Sequence, residues 1–183
     1  MSIFRTCLTF VMAVAMTSCA GANASMQPLA SAAPGPYQLG PGDQIRINVF
    51  GLDALNNTYL VGDTGEISLP MIGTVTASGK TITRFETDVA DSIRAKQLVL
   101  EPKVSAQILA YRPFFILGEV QRPGQYPYVP GMSVMTAVSV AGGYTFRANT
   151  KKVMVTRSSA KGSAGPDSSV QPGDLIQVQE SWF

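Results

Sequence analysis

The chain has 183 residues, 45% hydrophobic and 14% charged, with 17 glycines, 12 prolines and a formal net charge of +2. That length suffices for one medium or two small domains with real cores, and the near-neutral balance excludes the basic footprint of a nucleic-acid binder. Histidine is absent, which removes the commonest general base and metal ligand; the two cysteines, Cys7 and Cys19, lie at the N-terminus, so no disulfide, thiol nucleophile, metal site or cofactor is expected beyond it.

Residues 1–18 read as a lipoprotein signal peptide. Arg5 is the one charged side chain before Cys19, and the apolar run from Cys7 to Met16 falls short of the ~20 residues of a spanning helix. Met16-Thr17-Ser18-Cys19 resembles a bacterial lipobox, which makes Cys19 the candidate lipidation site, although Met16 stands where leucine is usual. Ala20 follows the cysteine in place of an inner-membrane retention aspartate, so the resemblance implies an outer-membrane lipid anchor on the periplasmic face. Ala22-Asn23-Ala24 offers the alternative of ordinary A-x-A cleavage, which would release a soluble protein. Residues 19–36 are small, polar and proline-punctuated, the composition of a flexible tether.

The first unit is expected over residues 37–112. Gly40-Pro41-Gly42-Asp43 forms a turn that feeds a strand in which Ile45, Ile47 and Val49 alternate with polar residues. Strands near Tyr59–Val61 and Glu66–Leu69 are expected to pair as a hairpin across Gly62-Asp63-Thr64-Gly65, after which Pro70 limits pairing. Between Thr81 and Leu98, Ile82, Phe85, Val89 and Ile93 share one helical face, with Thr81, or Thr83 in a capping box with Glu86, at its start. Val104–Ala110 alternates as a strand.

A second unit follows over residues 113–180. Phe114–Val120 reads as a buried strand broken at Gly118, then a turn at Arg122-Pro123-Gly124 and a strand over Gln125–Val129. A short helix runs from its N-cap Ser133 to Ala141, buries Val134, Ala137, Val138 and Ala141, and ends at Gly142-Gly143. Val153 and Val155 belong to a strand, residues 158–169 to a soft Ser/Gly/Ala loop, and Gln171-Pro172-Gly173-Asp174 to a turn feeding a last strand at Leu175–Val178. The two PGD turns echo each other, as a duplication or as two generic turn-into-strand solutions, and Asp43 and Asp174 are expected to bond backbone N–H groups within them. The fold class is α+β.

These motifs, in this order, resemble the bacterial outer-membrane polysaccharide export family. Tyr37-Gln-Leu-Gly-Pro-Gly-Asp43, Asp63-Thr-Gly65, Ile67-Ser-Leu-Pro70, Ile72-Gly73, Gly79-Lys-Thr81 and Glu101-Pro102-Lys-Val104 are similar to its export domain, which implies a mixed sheet plus one helix. Gly118-Glu-Val120, Arg122-Pro-Gly124-Gln-Tyr126, Ala141-Gly-Gly143 and Gly173-Asp174-Leu-Ile176 are similar to its soluble-ligand-binding β-grasp (SLBB) domain. The resemblance implies a non-enzymatic role: a homo-oligomeric ring that gives polysaccharide a path outward and meets an inner-membrane co-polymerase. No apolar run after the leader reaches spanning length, so the resemblance to short members implies a separate outer-membrane channel as partner.

The remaining chemistry is thin. The carboxylates could in principle serve a glycosidase pair, but they fall mostly in turns or on the polar helix face; the lack of histidine excludes a Ser-His-Asp triad, and no GxxxxGK[ST] motif is present. Among the aromatic residues, Tyr59, Tyr126 and Tyr144 are the candidate sugar contacts, with Tyr111, Tyr128 and Trp182 behind them; packing within strands accounts for the same rings. A monomeric glycan-binding lipoprotein is the alternative reading, since β-grasp modules serve widely in binding.

Overall fold

The computed structural model describes residues 35–181, whose elements gather around two hydrophobic cores. In chain order the first unit contains β1 (Gln44–Val49), β2 (Asn57–Leu60), β3 (Glu66–Leu69), β4 (Gly73–Thr76), helix α1 (Ile82–Ala95) and β5 (Val104–Ala110). Strand β1 alternates strictly, with Ile45, Ile47 and Val49 buried. It lies between β2 and β5, antiparallel to both, while β3 and β4 form a separate antiparallel pair.

Helix α1 covers this core with Phe85, Val89 and Ile93, all fully buried; each such side chain stabilises the fold by roughly 1.5–3 kcal/mol. Its N-cap is Thr81, whose hydroxyl accepts the Arg84 N–H at 3.3 Å. The capping box at Thr83 does not form, because the Glu86 carboxylate instead accepts the Ala106 N–H at 2.7 Å and ties the helix to β5.

The second unit contains β6 (Phe114–Gly118), β7 (Gly124–Tyr126), helix α2 (Val134–Val140), β8 (Val153–Arg157), β9 (Ala160–Ala164) and β10 (Leu175–Val178). Its five strands run in the order β7-β6-β10-β8-β9. Strand β10 is the centre, parallel to β6 and antiparallel to β8. Helix α2, capped by the Ser133 hydroxyl on the Thr136 N–H, adds Val134, Ala137 and Val138 to the core.

The α+β class stands as expected, with four local corrections. Strands β2 and β3 do not form a hairpin: the turn between them closes locally, Gly65 N–H to Gly62 O at 2.8 Å, but β2 returns against β1 and β3 pairs with β4. The mixed sheet expected of the first unit is two antiparallel ones, because short turns bring β2 beside β1 and β4 beside β3, and a parallel pair would need a crossover. The strand expected over Gln125–Val129 stops at Tyr126, where Pro127 has no N–H to offer a ladder. The supposed loop at residues 158–169 contains β9, a hairpin partner of β8, whose inward residues are Gly162 and Ala164. Among the described residues no helix is long and apolar enough to cross a membrane.

Candidate functional site

The two PGD turns lie at the junction of the units and share one construction. Each closes with an Asp N–H donated three residues back, Asp43 to Gly40 O and Asp174 to Gln171 O, both at 3.1 Å. Each carboxylate reaches back in turn, accepting the Gly40 N–H and the Gln171 N–H at 2.8 Å. Proline in the second position and a glycine with positive φ in the third, Gly42 at 91° and Gly173 at 85°, are the requirements of a type II turn.

Asp43 and Asp174 are the two fully buried charged side chains among the described residues, and a buried carboxylate needs a cation and a full set of donors. Asp174 receives a two-pronged bond from Arg157, Nε at 2.9 Å and Nη2 at 2.8 Å. Asp43 accepts the Tyr37 hydroxyl at 2.7 Å and the Arg112 backbone N–H at 2.8 Å, with Arg112 Nη1 at 3.5 Å. In both units the arginine stands at the C-terminal end of the strand antiparallel to the one its PGD turn launches, two residues past β5 beside β1 and as the last residue of β8 beside β10. The echo therefore extends beyond the turn to the counter-ion.

The arrangements differ in what else the guanidinium does. Arg112 turns its Nε to the Pro172 carbonyl at 3.1 Å, in the turn of the other unit, while Nη1 donates to the Tyr37 hydroxyl at 3.1 Å. It is held between the two turns. A Cβ added to Gly40 would stand 2.1 Å from Arg112 Nη1, and one on Gly173 3.1 Å from its Nε, so both glycines leave room for the same side chain. Around it three rings meet edge to face, Tyr37 with Tyr111 at 4.9 Å and Tyr111 with Tyr128 at 5.6 Å. Burial, reinforced by the bond to Asp43 and its charge, holds the Tyr37 hydroxyl far above the ordinary tyrosine range. Burial also raises Tyr128. Both oxygens of each carboxylate accept hydrogen bonds, so the cluster can hold the two units in register.

Of the residues singled out in the sequence, Gly40, Pro41, Gly42, Asp43, Gly173 and Asp174 meet at this junction. Gly142 and Gly143 lie apart from it, closing α2 through N–H bonds to Ser139 O and Val138 O. The three candidate tyrosines are not brought together. Tyr59 packs on the first core and donates to Leu55 O at 3.2 Å. Tyr126 and Tyr144 pack on the second, where Tyr126 stacks on Phe114 and donates to Arg122 O at 2.6 Å. The Tyr144 hydroxyl is buried without a partner among the described residues, and burial raises its pKa, as it does that of Tyr59. Cys19 and Trp182 lie outside the described residues. Sequence reasoning missed Tyr37, Arg112 and Arg157 as a set; two aspartates in matching turns, each requiring a cation, were the signal that could have led to the arginines.

Comparison with known proteins accords with this architecture. Residues 31–109 match the family model described as polysaccharide biosynthesis/export protein, and residues 113–170 match the SLBB domain. The exopolysaccharide production protein ExoF of Rhizobium meliloti (strain 1021) is 38% identical over 122 residues, covering 58% of this chain and 28% of that protein. The polysialic acid transport protein KpsD of Escherichia coli is 28% identical over 109 residues, again 58% of this chain and 19% of the relative. The chain thus spans less than a third of the length of these relatives. With both domains matched in order, and with each match ending near the Arg112 junction or beginning there, the chain belongs to the bacterial polysaccharide export family, as a polysaccharide export domain followed by one SLBB domain.

Proposed function

We propose that this protein is a non-enzymatic subunit of an exopolysaccharide or capsule export complex, tethered by a lipid on Cys19 to the periplasmic face of the outer membrane. Copies assemble into a ring whose lumen gives the polymer its path. One side of the ring meets an inner-membrane polysaccharide co-polymerase, and a separate outer-membrane channel continues the route. The observation that carries this reading is the succession of an export domain and an SLBB domain in one chain, in the order of the motifs. The clasped junction supports it: a subunit that stacks two domains around a passage needs them held at a set angle, and Arg112 bonds to both turns.

Deleting the gene tests the proposal. Polymer is expected to disappear from the medium, and the mature protein in mild detergent is expected to sediment as a closed oligomer with an acylated Cys19. Normal secretion without the gene would overturn the export role. A solitary species with one saturable sugar site would instead favour a glycan-binding lipoprotein.

A further inference from the structure

We propose that the outward face of the β2-β1-β5 sheet is a contact surface for an acidic polysaccharide, centred on Arg46; the idea rests on the export reading and names the part of the molecule that the polymer touches. An antiparallel sheet with one solvated face ordinarily carries mixed charges there, with lysines guarding its edges. This one does not. Its three strands bear a single charged side chain, Arg46, and no acidic one. Register places Thr58 and Gln107 on either side of Arg46, and Ser105 opposite Asn48. Asparagine is disfavoured in strands, yet Asn48 and Asn57 both lie in them, exposed.

Amide groups both donate and accept, as sugar hydroxyls do, and here they line two adjoining depressions. One, of about 300 Å³, is bounded by Arg46, Asn48, Asn56, Asn57 and Thr58. The other, of about 560 Å³, shares Asn48 and Asn56 and continues to Phe50, Lys103, Ser105 and one carboxylate, Asp53, which accepts the Asn56 amide. Asn56 is already held, accepting the Val49 N–H at 2.6 Å and donating to Asp53 at 3.1 Å, so it forms a fixed floor. Arg46 and Lys103 enter no ion pair among the described residues. Phe50, 83% exposed at the lip, offers an apolar ring face to the C–H side of a sugar. From Arg46 to Phe50 the strand covers roughly 13 Å, room for a few sugar rings. Two free cations at either end of an amide floor suit carboxylate-bearing sugars, since a guanidinium takes a carboxylate in two bonds.

The test is a chemical-shift titration of the mature protein with an oligogalacturonate and with a neutral maltooligosaccharide of equal length. The acidic probe is expected to shift the amides of Arg46, Asn48, Thr58 and Ser105, weakly and in a salt-sensitive manner. R46Q is expected to lower its affinity at least fivefold. Shifts confined to other faces, equal binding of the neutral probe, or a face already covered by a second copy without sugar would each overturn the proposal. In a deletion strain, full rescue of secretion by the R46Q/N48A double variant would sink the contact surface and leave the export reading intact. Secretion that never depended on the gene would sink the export reading, while the titration still judges the surface.

Discussion

Replacing Arg112 with alanine separates what this side chain does for the junction from what an ordinary ion pair does for a core. Removing one partner of a buried pair costs roughly 3–5 kcal/mol, because the other charge is left without compensation. Here the cost is lower. Arg112 is 29% exposed and stands 3.5 Å from Asp43, and Asp43 keeps the Gly40 N–H, the Tyr37 hydroxyl and the backbone N–H of residue 112. We expect a loss of about 2–3 kcal/mol. R157A strips Asp174 of a shorter, two-pronged partner that is 19% exposed, and about 3–4 kcal/mol is expected there. The pattern of loss distinguishes them further. Urea unfolding followed by far-ultraviolet circular dichroism, with the near-ultraviolet signal of the Tyr37-Tyr111-Tyr128 cluster in parallel, is expected to show R112A losing the aromatic signal first and unfolding with a lower apparent m-value, as two uncoupled units do. R157A is expected to lower the midpoint of the second unit. Lysine at 112 can reach Asp43 or Pro172 O but not both, and is expected to fall between alanine and the wild type. If R112A matches the wild type in midpoint and steepness, the clasp has no energetic role and the reasoning fails.

The tyrosines give a pH prediction. Tyr37, Tyr59, Tyr128 and Tyr144 all have raised pKa values in the fold, so above about pH 10 the unfolded chain releases protons that the native one retains, and stability falls with rising pH. Tyrosinate absorbance is therefore expected to lag and then rise with unfolding, and Y37F to flatten the alkaline decline; a smooth titration near pH 10 with the fold intact would refute this. Gly118→Ala places a Cβ 2.0 Å from the Val178 carbonyl oxygen at a φ of 89°, in the parallel β6-β10 pairing, and is expected to cost at least ~3 kcal/mol, read as a large drop in Tm or loss of soluble protein. Thr81→Ala removes the hydroxyl that caps α1 and is expected to cost about 1 kcal/mol with no change in m-value, measured by the same urea titration.

The elements that could be read in advance were those whose residues speak for themselves. The three-four-four spacing from Ile82 to Ile93, the capping hydroxyls of Thr81 and Ser133, and the alternation of β1, β5 and β10 are local signals, and each produced its element. Strand β4 buries a single valine, Val75, along its four residues, and β9 turns Gly162 and Ala164 inward; neither has a hydrophobic period to read. The β2-β3 hairpin failed for another reason. A turn signal says that the chain reverses, not which strand it returns against, and Ile45, Tyr59 and Ile108 had stronger grounds to share a sheet. The PGD turns were legible as turns. Their counter-ions were not, since Arg112 lies 69 residues from Asp43 along the chain and no local pattern marks it. The aromatic residues mislead for the converse reason: rings are conspicuous in a sequence, while the polar surface of β1 looks like ordinary solvated strand until the depressions beside Asn48 and Asn56 are seen.

The position of β10 has a consequence for how the second unit comes into being. Strands β6 and β8 never touch in the ladder; residues 175–178 stand between them and bond to both. Until that tetrapeptide has emerged, the SLBB half consists of a hairpin at each side and a helix with no floor beneath it. Isolated two-stranded hairpins are marginal in water, so nascent or clipped chains ending before Leu175 stay open along two inner edges, as ready substrates for proteases and for a neighbour's strands. The unit closes late and all at once, when nearly the whole described length of the chain is available to it.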